Sequence, residues 1–161
     1  MKIIVATDNN WGIGKDNNLL TYIPDDLKYF KEKTLGKVVV MGRKTLESLP
    51  GQKPLPRRTN IVLTRDKDYD ADCAVCHSEE ELFKELEQYD TNDVYVIGGA
   101  KVYGDMLEKC DTYFITKIFN TFEADRHFEN LDERKDIELV WEGPLQEYNG
   151  LQYKFTEYRR K

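Results

Sequence analysis

The sequence predicts an α/β domain of three layers: a mostly parallel twisted sheet with an antiparallel C-terminal hairpin and helices on both faces. Three observations lead there. Short continuous apolar runs, KIIVA at Lys2–Ala6, KVVVM at Lys37–Met41 and VYVI at Val94–Ile97, read as strands buried on both faces. Helix-like segments alternate with these runs, as crossover connections in a parallel sheet require. Asn149-Gly150, set between two alternating segments, is the strongest short hairpin signal in the chain. With 161 residues and no linker, repeat or low-complexity stretch, the chain is expected to form one domain over residues 1–161.

The first strand breaks into Thr7–Asn18, a long polar loop carrying Gly12 and Gly14. Loops of that length in compact domains are usually binding loops or lids, and as a dinucleotide fingerprint this one lacks its third glycine. A helix begins within the stretch LLTYIPDDLKYF, with Pro24 in its first turn, and ends near Thr34-Leu35-Gly36, where Gly36 suits a C-terminal cap. Asp25 and Asp26 both suit a helix start, where the dipole favours acids. At about 100° per residue, Ile23, Leu27 and Phe30 share a core-facing arc. Asp26 lies on the shoulder of that arc, whereas Asp25 points away with Lys28 and Glu32. A carboxylate beside apolar side chains has a raised pKa unless it is paired, so Asp26 is the candidate functional acid and Asp25 a solvated dipole partner.

After the strand Lys37–Met41, Gly42-Arg43-Lys44-Thr45 turns into a helix, an arrangement that leaves free backbone N–H groups for an anion. A loop rich in Pro and Gly, Pro50–Pro56, delivers Arg57 and Arg58 to the strand Asn60–Leu63, which ends in the basic pair Thr64-Arg65. A short strand at Ala74–Cys76 precedes a helix, Glu79–Tyr89, whose stripe of Leu82, Phe83 and Leu86 serves packing. Gly98-Gly99 after Val94–Ile97 repeats the strand-glycine-helix junction and opens the helix Lys101–Lys109. Two such junctions and a basic strand end suit one extended ligand with several phosphates. Strands at Thr112–Ile118, Glu138–Trp141 and Leu151–Tyr158 complete the chain, the last two flanking Asn149-Gly150.

Composition narrows the partners. Charged residues make up 34% of the chain and the net charge is −6, which argues against nucleic acid or an anionic membrane. No apolar run approaches the roughly 20 residues that span a bilayer. The apolar part of MKIIVATDNN is too short for a signal peptide, so a cytoplasmic protein is expected, and the charged surface suggests a monomer. Three cysteines, an odd number, suggest free thiols. Cys73-Ala-Val-Cys76-His77 matches the pattern for haem attachment, but it falls in a short alternating strand of a chain without an export signal. With only Cys110 and His127 as further soft ligands, no metal is expected.

The ordered blocks IIVA (Ile3–Ala6), WGIGKDN (Trp11–Asn17), IPDDLKYFK (Ile23–Lys31), VVMGRKTLESL (Val39–Leu49), PLPRRTNIVLT (Pro54–Thr64) and VIGGAKVY (Val96–Tyr103) resemble the dihydrofolate reductase family. TKI at Thr116–Ile118, Ala124-Asp125 and His127-Phe128 extend the resemblance over essentially the whole chain. It implies NADPH as cofactor, 7,8-dihydrofolate as substrate and antifolates as inhibitors. Asp26 matches the family's active-site carboxylate, Thr116 the residue that orients it, and Leu19 and Thr21 stand beside them. Ile4, Val5, Leu27, Phe30, Leu49, Leu55 and Ile97 match the walls around the substrate, and Arg58 matches the partner of its α-carboxylate. On the cofactor side, Ala6 and the segment Ile13, Gly14, Lys15, Asn17, Asn18 and Leu19 match the cover over nicotinamide. Gly42, Arg43, Lys44, Thr45, Leu63, Thr64, Arg65 and His77, with Ile97, Gly98, Gly99, Ala100, Lys101, Val102 and Tyr103, match the phosphate and adenosine side. The Gly98-Gly99 peptide is typically cis in this family. Leu20-Thr21 stands where the family usually has Pro-Trp, which implies a shifted pH dependence. A pyrimidine reductase of the same fold and a nucleotide-sensing domain without turnover are the competing readings.

Overall fold

Strands that are apolar on both faces need cover on both faces, and the computed structural model, which describes residues 1–161, supplies it. Its elements in order are β1 (Lys2–Thr7), β2 (Gly12–Gly14), α1 (Pro24–Thr34), β3 (Val38–Gly42), α2 (Arg43–Ser48), β4 (Thr59–Leu63), β5 (Ala74–Cys76), α3 (Glu79–Leu86), β6 (Val94–Gly98), α4 (Ala100–Met106), β7 (Thr112–Ile118), β8 (Arg126–His127), β9 (Ile137–Glu142), β10 (Gln146–Tyr148) and β11 (Leu151–Arg160). The main sheet runs β10-β11-β7-β1-β6-β3-β4-β5, with β9 also on β11. Pairings from β7 across to β5 are parallel, and β11 is antiparallel to β7, β9 and β10. No helix is long and apolar enough to cross a membrane.

Strand alternation sorts the core into two faces. Ile3, Val38, Val40, Ile61, Val94 and Val96 pack with Leu82 and Leu86 of α3 and with Val102 and Met106 of α4. Their neighbours Ile4, Val39, Met41, Val62 and Tyr95 pack with Leu46 of α2, against which Tyr29 and Phe30 of α1 also lie. The predicted three layers are therefore present, with α1 and α2 on one face and α3 and α4 on the other.

The structure differs from the sequence reading in four places. Thr7–Asn18 is not a bare loop: β2 pairs with β8, and the buried Asp8 carboxylate accepts the N–H groups of Asn10, Gly12 and Phe122 at 2.9, 2.8 and 3.0 Å. Trp11 is buried there between Phe128 and Tyr158, so an apolar anchor hides in a polar stretch. The Asn149-Gly150 turn joins β10, which the alternation did not reveal, to β11. Tyr148 faces Leu151, and positive φ at both turn residues (49° and 80°) is the geometry that Asn-Gly tolerates. Helix α3 stops at Leu86 rather than Tyr89: Glu87 N–H turns to Lys84 O and Tyr89 N–H to Leu86 O, while Tyr89 still packs against the core. Finally, Ile23 is 3% exposed but Leu27 is 41% exposed, so the arc of α1 is only partly buried and its middle opens to solvent.

Candidate active site

Parallel pairing puts the carboxyl ends of β1, β3 and β6 on one edge of the sheet, and the register sets Thr116 of β7 beside Ala6 of β1. Above that pair begins α1. Pro24 occupies its first position after Ile23, whose extended backbone (φ −127°, ψ 108°) ends the incoming chain. The next two residues, Asp25 and Asp26, fall in the first turn and diverge by one helical step. Thr116 Oγ1, 2% exposed, donates to Asp26 Oδ1 at 2.7 Å. No cation pairs with Asp26. Burial raises its carboxyl above the ordinary aspartate value, and the Thr116 hydrogen bond opposes this only in part. Oδ2 has no protein partner.

Asp25 is exposed, as expected, but it is more than a solvated dipole partner: the buried Tyr153 hydroxyl donates to its Oδ2 at 3.1 Å. Three large apolar side chains flank this helix start uncovered, Leu19 at 68%, Tyr22 at 61% and Leu27 at 41% exposed. Apolar surface left open around one desolvated carboxylate marks a binding cleft. Phe30, Leu49, Leu55 and Ile97 are half-buried against the same core face. Arg58 Nε donates to Pro56 O at 3.0 Å and Nη1 to Thr34 Oγ1 at 3.1 Å, while no carboxylate of the chain pairs with it. Burial and neighbouring Arg57 lower its pKa, so the guanidinium is oriented yet electrically unanswered.

The two glycine junctions form one surface. A Cβ at Gly98 would lie 2.8 Å from Thr45 Oγ1, one at Gly99 3.4 Å from the same atom, and one at Gly42 3.2 Å from Val102. Gly98 has φ +149° and the Gly98-Gly99 peptide is cis. Neither Gly42 nor Gly99 offers a side chain to the helix that it caps, so first-turn N–H groups stay available. Lys44 and Arg65 are exposed and unpaired. Arg43 is not free: Nη1 lies 3.0 and 3.3 Å from the two Glu47 oxygens. Lys101 likewise pairs with Asp105, one helical turn on. Thr64 and His77 meet, with Nδ1 3.1 Å from the Thr64 carbonyl oxygen, beside half-buried Leu63. Ile4, Val102 and Tyr103 are almost wholly buried, with the Tyr103 hydroxyl on Ile4 O, so they support the site from beneath. Val5 and Ile13 are half-buried against this same core.

The segment after β2 reaches across. Asn17 Nδ2 donates to Lys44 O at 3.2 Å, the Asp16 N–H to Asp125 at 3.0 Å, and Lys15 pairs with Glu123. Gly14 lies at its start; Asn18 accepts from and donates to the Lys15 backbone. Leu20 and Thr21, half-buried, lead from it into α1. Cys76 is buried in the core and Cys73 half-buried on the sheet edge, both thiols pushed up by burial, and no three His, Cys, Asp or Glu side chains converge as metal ligands. Sequence reasoning missed Asp8 and Tyr153. An Asp-Asn-Asn-Trp-Gly run after a buried strand is a signal for the first; nothing local announces the second.

An α/β domain whose parallel strand ends gather bare glycine junctions and one desolvated carboxylate has the build of a nucleotide-dependent enzyme. The dihydrofolate reductase family model matches residues 1–160. Dihydrofolate reductase of Bacillus subtilis (strain 168) is 40% identical over 164 residues, covering 100% of this chain and 95% of that protein. The Staphylococcus haemolyticus enzyme is 37% identical over 99% of the chain and 95% of its own length. The structure of Enterococcus faecalis dihydrofolate reductase complexed with NADP(H) and RAB-propyl superposes with a TM-score of 0.87 at 38% identity, covering 99% of this chain and 95% of that one. The chain belongs to the dihydrofolate reductase family.

Proposed function

We propose that this protein reduces 7,8-dihydrofolate to 5,6,7,8-tetrahydrofolate with NADPH, as one domain acting as a monomer in the cytoplasm. The observation that carries the reading is the Asp26 carboxylate: desolvated, without a cation, fixed by Thr116 at one oxygen and open to the cleft at the other. An acid so placed matches the edge of a pterin, where an amino group and a ring nitrogen present two parallel donors. Its pKa, raised by burial, lets it keep a proton to higher pH than an ordinary aspartate, which suits a group that promotes protonation of the substrate, here at N5. Leu27, Phe30, Leu49 and Leu55 supply apolar walls, and Arg58 presents free donors to the α-carboxylate of the substrate's tail.

The residues fit the cofactor. A Cβ would fill the bare backbone at Gly42, Gly98 and Gly99, and Thr45 offers its hydroxyl there. Lys44 and Arg65 carry uncompensated charge suited to a 2′-phosphate, which favours NADPH over NADH. When bound, NADPH supplies a hydride for pterin C6. The chain's own part is to hold both ligands in register, exclude water with Ile13–Leu19, and direct a proton. The same cleft, with its exposed Leu19, Tyr22 and Leu27, suits planar antifolates.

The test follows the loss of reduced-nicotinamide absorbance on adding dihydrofolate, with NADPH and NADH side by side. Fast loss with NADPH and slow loss with NADH is expected. Folded protein that binds NADPH but turns over with neither would move the assignment to a pyrimidine reductase or a nucleotide sensor.

A further inference from the structure

Leu55 and Arg58 reach the cleft from Lys53–Arg58, a segment outside the helices and strands. Prolines on both sides of Leu55 lack an N–H, and neither the N–H nor the C=O of Leu55 has a main-chain partner. Half-buried Leu55 packs against the α1–α2 face of the core, and a pocket of about 520 Å³ runs along the segment, bounded by Pro54, Leu55, Arg58 and Asn60 and also by Cys73 and Tyr89. Its main-chain ties to the rest of the fold are Arg57 O, which accepts the Gly36 N–H at 2.9 Å, and, at Leu55 and Arg58, one side chain of β4. Asn60, 6% exposed, accepts the Leu55 N–H on Oδ1 at 2.9 Å. Its Nδ2 donates to Leu55 O at 2.9 Å and to Arg58 O at 3.1 Å. The carboxamide thus stands in for a neighbouring strand, satisfying Leu55 at both main-chain groups and pinning the Arg58 carbonyl. A buried amide with three satisfied bonds, all to one irregular segment, is a tether.

We infer that Asn60 is a positioning residue for the substrate's tail. It holds Leu55 against the aromatic ring and aims the Arg58 guanidinium at the α-carboxylate, without touching substrate itself. This rests on the dihydrofolate reductase reading and adds to it a residue that acts through two others.

The experiment compares the full-length protein with Asn60→Ala on three substrates: dihydrofolate, a dihydropterin without the aminobenzoyl-glutamate tail, and NADPH. For Asn60→Ala, KM for dihydrofolate should rise about tenfold, with turnover at saturation and KM for the other two substrates within about twofold of the parent. In an Arg58→Ala background the same change should raise KM by clearly less than it does in the parent, because one of its two targets is gone and only the Leu55 contact remains to be lost. A merely structural asparagine would instead move all three substrates together. Equal effects on tailed and tail-less substrate, or an unchanged KM for dihydrofolate in an active parent, would overturn the inference. If Asn60→Ala fails to fold, Asn60→Asp, which keeps the acceptor and loses both donations, should give the same selective rise. A parent that turns over no dihydrofolate would overturn the reductase reading itself, and the inference with it.

Discussion

Asp26 and Asp136 lie at opposite edges of the same sheet, one beside the carboxyl ends of the parallel strands and the other beside their amino ends. Asp136 faces Arg134 at 2.8 Å and Arg160 at 2.8 Å; Arg134 also binds Glu108 and Glu129. Arg160 further donates to the carbonyls of Leu107 and Cys110. Hydrogen bonds from Arg134 hold the Asp136 carboxyl well below the usual carboxylate range, and its acids hold Arg134 above the guanidinium range. Asp26 has burial in place of an arginine, and its pKa moves the other way. Where every charge is answered within the chain, the cluster fastens segments together. Where a carboxylate and, at Arg58, a guanidinium are left single, the answer has to come from a ligand.

The sharpest way to break this contrast is Asp26→Asn. It should retain NADPH binding and lose roughly 10²–10⁴-fold in turnover at neutral pH, with partial recovery in acid, in steady-state rates taken across pH. Asp25→Asn should stay near the parent, and a reversal of the two would sink the argument from helix faces. Thr116→Val removes a hydrogen bond that favours the charged acid. Its turnover should fall roughly tenfold and the pH–rate profile move to higher pH. On the opposite edge, Arg134→Ala should leave turnover alone and lower Tm by roughly 1–4 °C, since it orphans Glu129 and leaves Asp136 and Glu108 with Arg160 alone.

Stability against pH separates the two aspartates by sign. Asp136 has a depressed pKa, so its contribution is present above the unfolded value of about 3.9 and fades as pH falls through the folded one. Asp136→Asn should therefore destabilise at neutral pH and cease to matter in strong acid. Asp26 has a raised pKa, so its charge disfavours the fold as pH rises through the folded value. Asp26→Asn should gain about 1–3 °C in Tm at neutral pH, a gain that disappears below the unfolded value. A loss at neutral pH would mean that the site is built for stability after all. The smallest effect is expected at Thr21→Trp, where an indole beside the helix start should displace the pH–rate profile; identical profiles would show that this position does not tune the acid.

Much of this was legible in the residues. Apolar runs marked the strands that are buried on both faces, and the glycines marked the strand-to-helix junctions at their carboxyl ends, because period and backbone freedom are local properties. The position of Asp26 on the shoulder of α1 was also local. Less legible was anything settled by a distant partner. Asp8 ties residues from two loops, Tyr153 reaches Asp25 from the other end of the chain, and β10 exists because β11 offers it an edge. Arg43 is a different case: its charge is taken by Glu47 one turn along its own helix, a local i,i+4 pair that the sequence does show.

The meeting of Thr45 with Gly98 and Gly99 has a consequence for how such a chain can vary. Two loops far apart in sequence share one van der Waals surface, and a methyl group at Gly98 would collide with the Thr45 hydroxyl at 2.8 Å. Neither junction can drift alone. A bulkier residue in the second demands a smaller one at position 45, and the Thr45 hydroxyl is lost in the exchange. In a sequence library the tolerated substitutions at the two junctions should therefore be correlated rather than independent.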